Sequence, residues 1–323
     1  MKIIAELCQN HNGDFDTLRR MVDSAVAGGA THVKIQHIYA RNLVFRPEFE
    51  KGLEQDGTVK AIHRPWQAEF NRLKGLELSG KECESFVQHA EDSGVIPMTT
   101  CFTSGDIDRI VDQGFRAVKV ASYDCASYSL LRRLAARFEH IYVSTGATFD
   151  DEIRHSANVL AEAAENFTFL HCVTLYPTPL ESMNLTRIDW LSQFSSEVGF
   201  SDHSLVNRDG LLAAKAAIYL GAGIVERHFT LTDAGETKDG PVSITEEGIR
   251  ELLDFSNMSS SDQEAHLLSE NPGWEVMLGE PTRWLSDEEL LNRDYYRGRF
   301  ASPRREGAHR SAEMIFPWEE TPL

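Results

Sequence analysis

Val118-Lys119-Val120-Ala121-Ser122-Tyr123-Asp124 passes from a β-branched apolar run that encloses one lysine straight into hydroxyl and carboxyl groups. Such a run reads as a short buried strand, Ala117–Val120, with polar chemistry at its C-terminal end. The same pattern recurs outward in both directions. Lys2–Glu6 leads into Gln9-Asn10-His11-Asn12-Gly13, and His32–Gln36 encloses Lys34. Ile96–Met98 leads into Thr99-Thr100-Cys101-Phe102, Ile141–Val143 into Ser144-Thr145-Gly146, and Phe167–Leu170 into His171-Cys172. Glu197–Phe200 leads into Ser201-Asp202-His203, and Ile224–Glu226 into Arg227-His228.

Longer amphipathic patterns separate these runs, near Phe15–Ala27, Gly80–Ser93, Gly105–Gln113, Tyr128–Arg137, Asp150–Ala164, Leu185–Gln193, Arg208–Leu220 and Thr245–Phe255. Alternation of this kind gives parallel βαβ units, and about eight of them predict a closed (β/α)8 TIM barrel whose strand ends converge on one pocket. Gly28-Gly29, Gly94, Gly114 and Gly221 fall where a left-handed residue ends a helix. Two connections are long, His37–Leu78 and His228–Ser243, and both leave the chemical face of a barrel. The first, with Arg41, Arg46 and Arg64, reads either as a lid or substrate loop or as a solvated insertion. Past Phe255 the periodicity breaks, and Ser259–Glu264 is the expected linker. The expected division is a catalytic barrel over residues 1–257 and a short irregular C-terminal extension over 258–323, packed on the barrel or on a neighbouring subunit.

The 323 residues, 41% hydrophobic and 25% charged, suit a globular chain with a full core. A net charge of −18 repels a nucleic-acid backbone, so any anion site has to be built locally from lysines, hydroxyls and backbone N–H groups. Five cysteines without CxxC spacing describe neither a disulfide framework nor a zinc finger. No apolar run approaches the roughly 18 residues of a membrane span and the first residues lack a signal-peptide core, so the expectation is a cytoplasmic protein with no membrane partner.

Lys34 and Lys119 lie inside apolar strands, where an unpaired ammonium is costly, so each requires an anion. That anion is either a phosphate or carboxylate ligand, held together with Ser122, Ser144 and Ser201, or an internal acid such as Glu6 or Asp124; a Schiff base is a further use of such a lysine. His203 and His228 end consecutive strands. They can share a divalent ion, with a carboxylate such as Glu6 or Asp239 completing the shell, or serve as hydrogen-bonded structural residues. His171 reads as structural. Gly13, Gly146 and Gly240 allow either close ligand approach or tight turns.

Together these segments resemble the N-acetylneuraminate (sialic acid) synthase family, with its pseudaminic, legionaminic and spore-coat polysaccharide relatives. The resemblance runs from about Ile3 to Phe255. It rests on Ala5-Glu6 with Asn10-His11-Asn12-Gly13, Val33-Lys34-Ile35-Gln36, Lys119-Val120-Ala121-Ser122, Ser144-Thr145-Gly146, His171-Cys172 with Tyr176-Pro177, Gly199-Phe200-Ser201-Asp202-His203 and Glu226-Arg227-His228-Phe229-Thr230. It implies a metal-dependent condensation of phosphoenolpyruvate with the open-chain aldehyde of an aldose such as N-acetylmannosamine, giving a 2-keto-3-deoxy sugar acid and phosphate. It also implies that His203 and His228 hold the metal, Mn2+ first, with Mg2+ or Co2+ as alternatives. Lys34, Thr100, Lys119, Ser122, Ser144 and Ser201 would bind phosphoenolpyruvate. Glu6 and Asp124 would lie near the water or the sugar, and Thr174, Tyr176 and Asp239 would face the sugar. A homodimer is expected.

The chain departs from the family pattern at Asp124, in place of Glu, at Thr174, in place of Asn, and at Cys101, in place of Pro. No antifreeze-like C-terminal domain is expected, although Tyr295–Ser302 resembles the segment that leads into one. The sugar therefore stays open, and three other readings compete: a synthase acting on a sugar phosphate, which needs extra basic residues; a metal-dependent barrel hydrolase, which needs no strand lysines; and a non-catalytic barrel.

Overall fold

The computed structural model describes residues 1–231 and 235–320. Eight parallel strands close into a barrel: β1 (Lys2–Cys8), β2 (His32–Gln36), β3 (Ile96–Thr100), β4 (Ala117–Val120), β5 (His140–Ser144), β6 (Asn166–Cys172), β7 (Val198–Asp202) and β8 (Ile224–Phe229). They pair in sequence order, and β1 closes on β8 with Ile3 opposite Val225 and Glu6 opposite His228. The (β/α)8 expectation is met.

Side chains alternate along a strand, so residues two apart face the same side. Ile4, Met98, Ala117, Tyr142, Leu170 and Ile224 form one apolar cluster inside the barrel. Two residues further along each of those strands stand Glu6, Thr100, Lys119, Ser144, Cys172 and Glu226, a polar layer directly above an apolar floor. The main core lies on the other strand faces, where Ile3, Val33, Val118, Val143 and Val225 meet Leu18, Phe86, Leu131, Leu160 and Leu252 of the surrounding helices.

Helix boundaries follow local chemistry. Asp14 caps helix Phe15–Gly28 by accepting from Thr17 N at 2.5 Å, and Ser79 and Glu82 form a capping box at the start of Gly80–Asp92. Gly29, Gly94, Gly114 and Gly221 all have positive φ, as a left-handed helix exit requires.

Several strands outrun their expected ends: β1 continues to Cys8, β3 to Thr100, β6 to Cys172 and β8 to Phe229. In β3, β6 and β8 the apolar run stops earlier because inward residues near the end, Thr100, Cys172 and His228, are polar or follow polar ones, yet the backbone ladder is indifferent to side-chain polarity. The expected linker Ser259–Glu264 is instead helical. Ser259 caps helix Ser260–Glu270, which is pinned by Gln263 Nε2 donating to Phe255 O (3.0 Å) and by buried Lys215, whose Nζ meets Glu270 and lies 3.0 Å from His266 Nε2.

The first long connection carries helices Glu48–Lys51 and Trp66–Lys74 and an exposed hairpin, Leu53–Gln55 with Thr58–Ala61. Its partner is the C-terminal extension. Arg46 donates to the carbonyls of Asp294, Tyr295 and Arg297, Arg64 donates to Tyr296 Oη (2.8 Å), and Glu69 pairs with Arg299. Phe300 packs with Ala40, Leu43 and Leu73. These contacts lay the extension across the strand ends of its own barrel. No helix among the described residues is long and apolar enough to cross a membrane.

Candidate active site

The polar layer opens into a cavity walled by twelve of the expected site residues: Glu6, Lys34, Thr100, Lys119, Ser122, Asp124, Ser144, Thr174, Tyr176, Ser201, His203 and His228. Asp239 is the exception. It is not on that wall and stands beside Cys8.

The lysines answer the question their burial posed. Lys119 Nζ lies 2.7 and 2.8 Å from the two carboxylate oxygens of Glu226, and Ser201 Oγ donates to Glu226 Oε1 at 2.7 Å. Lys34 Nζ donates to Thr100 Oγ1 (3.0 Å), touches Glu6 and lies 3.7 Å from Glu226 Oε2. Burial would raise the Glu226 carboxyl, but Lys119 and Lys34 hold it well below the usual range. Burial, opposed by Glu226, brings the Lys34 ammonium down to about 7, and contact with Glu6 favours its charged form. Two lysines thus face two acids, all four side chains buried. Ser144 Oγ, also buried on this wall, has no hydrogen-bond partner among the described residues.

Asp124 lies in the turn after β4 and accepts from Ser127 Oγ at 3.1 Å; burial pushes its carboxyl up to about 7. Gly146, after β5, admits no side chain: a Cβ there would stand 2.7 Å from Thr174 Cγ2 and 3.1 Å from Ser122 Oγ. It lets three strand ends crowd together. Gly13 lies outside the cavity in a positive-φ turn packed on Gly75 O.

His203 and His228 follow β7 residue Asp202 and β8 residue Arg227, whose side chains meet at 2.6 Å with no exposure. The two imidazole rings are 5.4 Å apart. Burial, with His228 adding to it, pushes His203 well below its ordinary value, and burial lowers His228 too, so both are neutral and able to ligate. His203 Nε2 shares a hydrogen bond with Tyr176 Oη (2.9 Å), whereas His228 Nδ1 is buried without a partner among the described residues. Cys8, His228 and Asp239 offer ligand atoms within 4.8 Å of one another. The donor set, with its unpartnered imidazole nitrogen, fits a divalent ion. His171 bonds to no cavity group among the described residues; its Nε2 lies 2.6 Å from Met183 O.

Residues to which the sequence reading gave no role complete the cavity. Glu226 is the lysines' shared carboxylate, and Ile224 two positions earlier was the signal for it. Tyr123 stacks on Tyr296 at 4.8 Å, and Tyr296, Gly298, Arg299 and Phe300 of the extension form the roof. Their aperiodic stretch carries no such signal. Arg299 Nε is buried and unpartnered among the described residues. The long connection's arginines are engaged elsewhere: Arg41 pairs with Asp106 (2.8 Å), while Arg46 and Arg64 hold the extension.

A closed parallel barrel with polar groups from every strand end gathered under one roof is the architecture of a TIM-barrel enzyme. The chain belongs to the NeuB family, whose model matches residues 21–264. An uncharacterized protein of Methanocaldococcus jannaschii is 32% identical over 254 residues, covering 78% of this chain and 68% of that one. An N,N'-diacetyllegionaminic acid synthase of Campylobacter jejuni is 29% identical over 262 residues, covering 77% and 73%. Among solved structures, a spore coat polysaccharide biosynthesis protein of Bacillus subtilis superposes with a TM-score of 0.68 at 24% identity, over 91% of this chain and 77% of that one. With named relatives that are sugar acid synthases, the chain is an enzyme of that kind.

Proposed function

We propose that the protein condenses phosphoenolpyruvate with the open-chain aldehyde of an aldose, giving a 2-keto-3-deoxy sugar acid of the nonulosonate type and phosphate. The observation that carries this reading is the meeting of Lys34, Lys119, four hydroxyls and two imidazoles on one cavity wall. In the reaction C3 of phosphoenolpyruvate bonds to the aldehyde carbon, the aldehyde oxygen gains a proton, water adds at C2 and phosphate departs. The lysines with Thr100, Ser122, Ser144 and Ser201 hold the phosphate and carboxylate. Because Glu6 and Glu226 already balance both ammonium groups in formal charge, the arriving anion calls for added positive charge nearby. His203 and His228 would hold a divalent ion, Mn2+ first on the family resemblance, which would supply that charge and polarise the aldehyde oxygen. Asp124, near 7, holds and releases a proton at neutral pH. Glu6 faces the reacting water. Thr174, Tyr176 and the roof residues Tyr296 and Arg299 face the sugar, and the enzyme acts in the cytoplasm as a homodimer.

The strand lysines separate this reading from a barrel hydrolase. A sugar-phosphate acceptor is the second reading, but Arg41 and Arg46 are engaged away from the cavity, Arg64 reaches it only through Tyr296 Oη, and Arg299, the guanidinium on its wall, is paired with Glu69. The deciding measurement is phosphate release from phosphoenolpyruvate with a panel of aldoses and aldose phosphates, with Mn2+ and again in excess chelator. Release that needs both the metal and one unphosphorylated sugar is expected; metal-dependent chemistry without consumption of phosphoenolpyruvate would overturn the assignment.

A further inference from the structure

Cys8 ends β1 on the chemical face, buried, with its Sγ 3.1 Å from Asp239 Oδ2. Its sulfur, a ring nitrogen of His228 and a carboxylate oxygen of Asp239 all lie within 4.8 Å of one another. The three come from the ends of β1 and β8 and from the connection that follows β8. Asn10 ties these segments together: its Nδ2 donates to Phe229 O (2.9 Å) and Ser243 Oγ (3.0 Å), and Ser243 Oγ donates to the Asp239 carbonyl (2.7 Å). Independently, His228 Nδ1 is buried and has no hydrogen-bond partner among the described residues. A buried cysteine usually serves as a small hydrophobe. Apolar packing does not explain a sulfur set against both a carboxylate and an imidazole.

We propose that Cys8, His228 and Asp239 form a three-ligand divalent-metal site, and that the Cys8 thiolate turns its preference from Mn2+ toward Zn2+ or Co2+. The inference rests on the metal-assisted reading above and changes which residues hold the ion. Thiolate, imidazole and carboxylate together suit a borderline-soft ion, whereas a hard ion such as Mn2+ is better served by oxygen donors. One thiolate and one carboxylate neutralise a dication, so the buried assembly carries no net charge. Three protein ligands leave a coordination position open, as a catalytic site requires. On binding, the thiol proton passes to solvent.

The test is titration of the metal-free full chain with Co2+, followed by absorption and calorimetry, beside Cys8→Ser and Cys8→Gly; glycine suits the positive φ at this position and guards against a folding defect. The wild type is expected to show a thiolate-to-cobalt charge-transfer band with visible d–d bands and to prefer Zn2+ to Mn2+. Both variants should lose the charge-transfer band and bind Zn2+ at least about tenfold more weakly, the scale of a lost contact around a metal, with Mn2+ affinity little changed. Cobalt binding without that band, no cobalt binding at all, or unaltered Zn2+ affinity in both variants overturns the proposal. Calorimetry with phosphoenolpyruvate on the same samples separates the two readings: phosphoenolpyruvate binding without the band removes only the Cys8 site, and the band without phosphoenolpyruvate binding removes only the synthase reaction.

Discussion

Arg227 Nη1 lies 2.6 Å from Asp202 Oδ2, both side chains have no exposure, and each residue immediately precedes one of the two cavity histidines. Arg227 also donates to Ser204 Oγ at 2.9 Å, and Ser204 N donates back to Asp202 Oδ1 at 2.8 Å. The pair is therefore a brace between β7 and β8, set outside the cavity but fixing the two imidazoles that face it.

Removing one member of a buried pair leaves the other charge uncompensated. Arg227→Met is expected to cost about 3–5 kcal/mol of stability, and the double variant Asp202→Asn/Arg227→Met is expected to recover part of that. Urea unfolding measures both. A single variant that unfolds at the wild-type midpoint would show that the brace contributes nothing.

Lys119 and Glu226 make opposite predictions for the anion. Lys119→Met removes a charged donor, each such hydrogen bond contributing about 1.5–3 kcal/mol, so phosphoenolpyruvate should bind roughly 10–100-fold more weakly. Glu226→Gln removes the carboxylate that competes for both lysines, and calorimetry should find phosphoenolpyruvate bound at least as tightly as in the wild type. An equal loss in both variants would mean that Glu226 is needed to hold Lys119 in place.

Asp124 makes stability pH-dependent in a defined direction. Burial lifts its carboxyl from 3.8 to about 7, so the folded protein keeps a proton that the unfolded chain has released. The stability linked to that proton is complete below the unfolded value, declines as pH rises toward 7 and is lost above it. Asp124→Asn should remove this decline and be the more stable protein at pH 8 relative to pH 5, while phosphate release falls by about 10²–10⁴-fold, the usual worth of a general acid or base. Parallel unfolding curves for the two proteins at both pH values would place the titration elsewhere.

The barrel and most of its wall were legible because a strand carries its geometry in its own letters. Ile4 predicts where Glu6 faces, Met98 does so for Thr100 and Ala117 for Lys119, since the period of two needs no distant information. What the letters did not show is which groups meet across the barrel. Lys119 and Glu226 are 107 residues apart, and Cys8 and Asp239 are 231 apart, so only closure of the sheet brings either pair together. The linker was misread because Ser259-Ser260-Ser261-Asp262 resembles a turn, whereas serine followed by aspartate is equally the opening of a capped helix.

The roof makes the last prediction. Tyr296 stacks on Tyr123 at 4.8 Å and accepts from Arg64, and so joins the extension to the turn after β4 and to the first long connection at one point. In the proposed reaction phosphoenolpyruvate is held by groups on the opposite, strand-end side of the cavity, so loss of the ring should be felt by the second substrate. An aromatic pair is worth about 0.5–1.5 kcal/mol beyond its buried area. Tyr296→Leu is therefore expected to raise KM for the sugar by roughly 2–12-fold while leaving phosphoenolpyruvate affinity within about twofold, and Tyr296→Phe, which keeps the stack and loses only the Arg64 contact, should fall between. Steady-state kinetics with each substrate varied in turn decides it. A change confined to phosphoenolpyruvate would put the sugar elsewhere, because an effect through the roof has to be read first by the molecule that touches it.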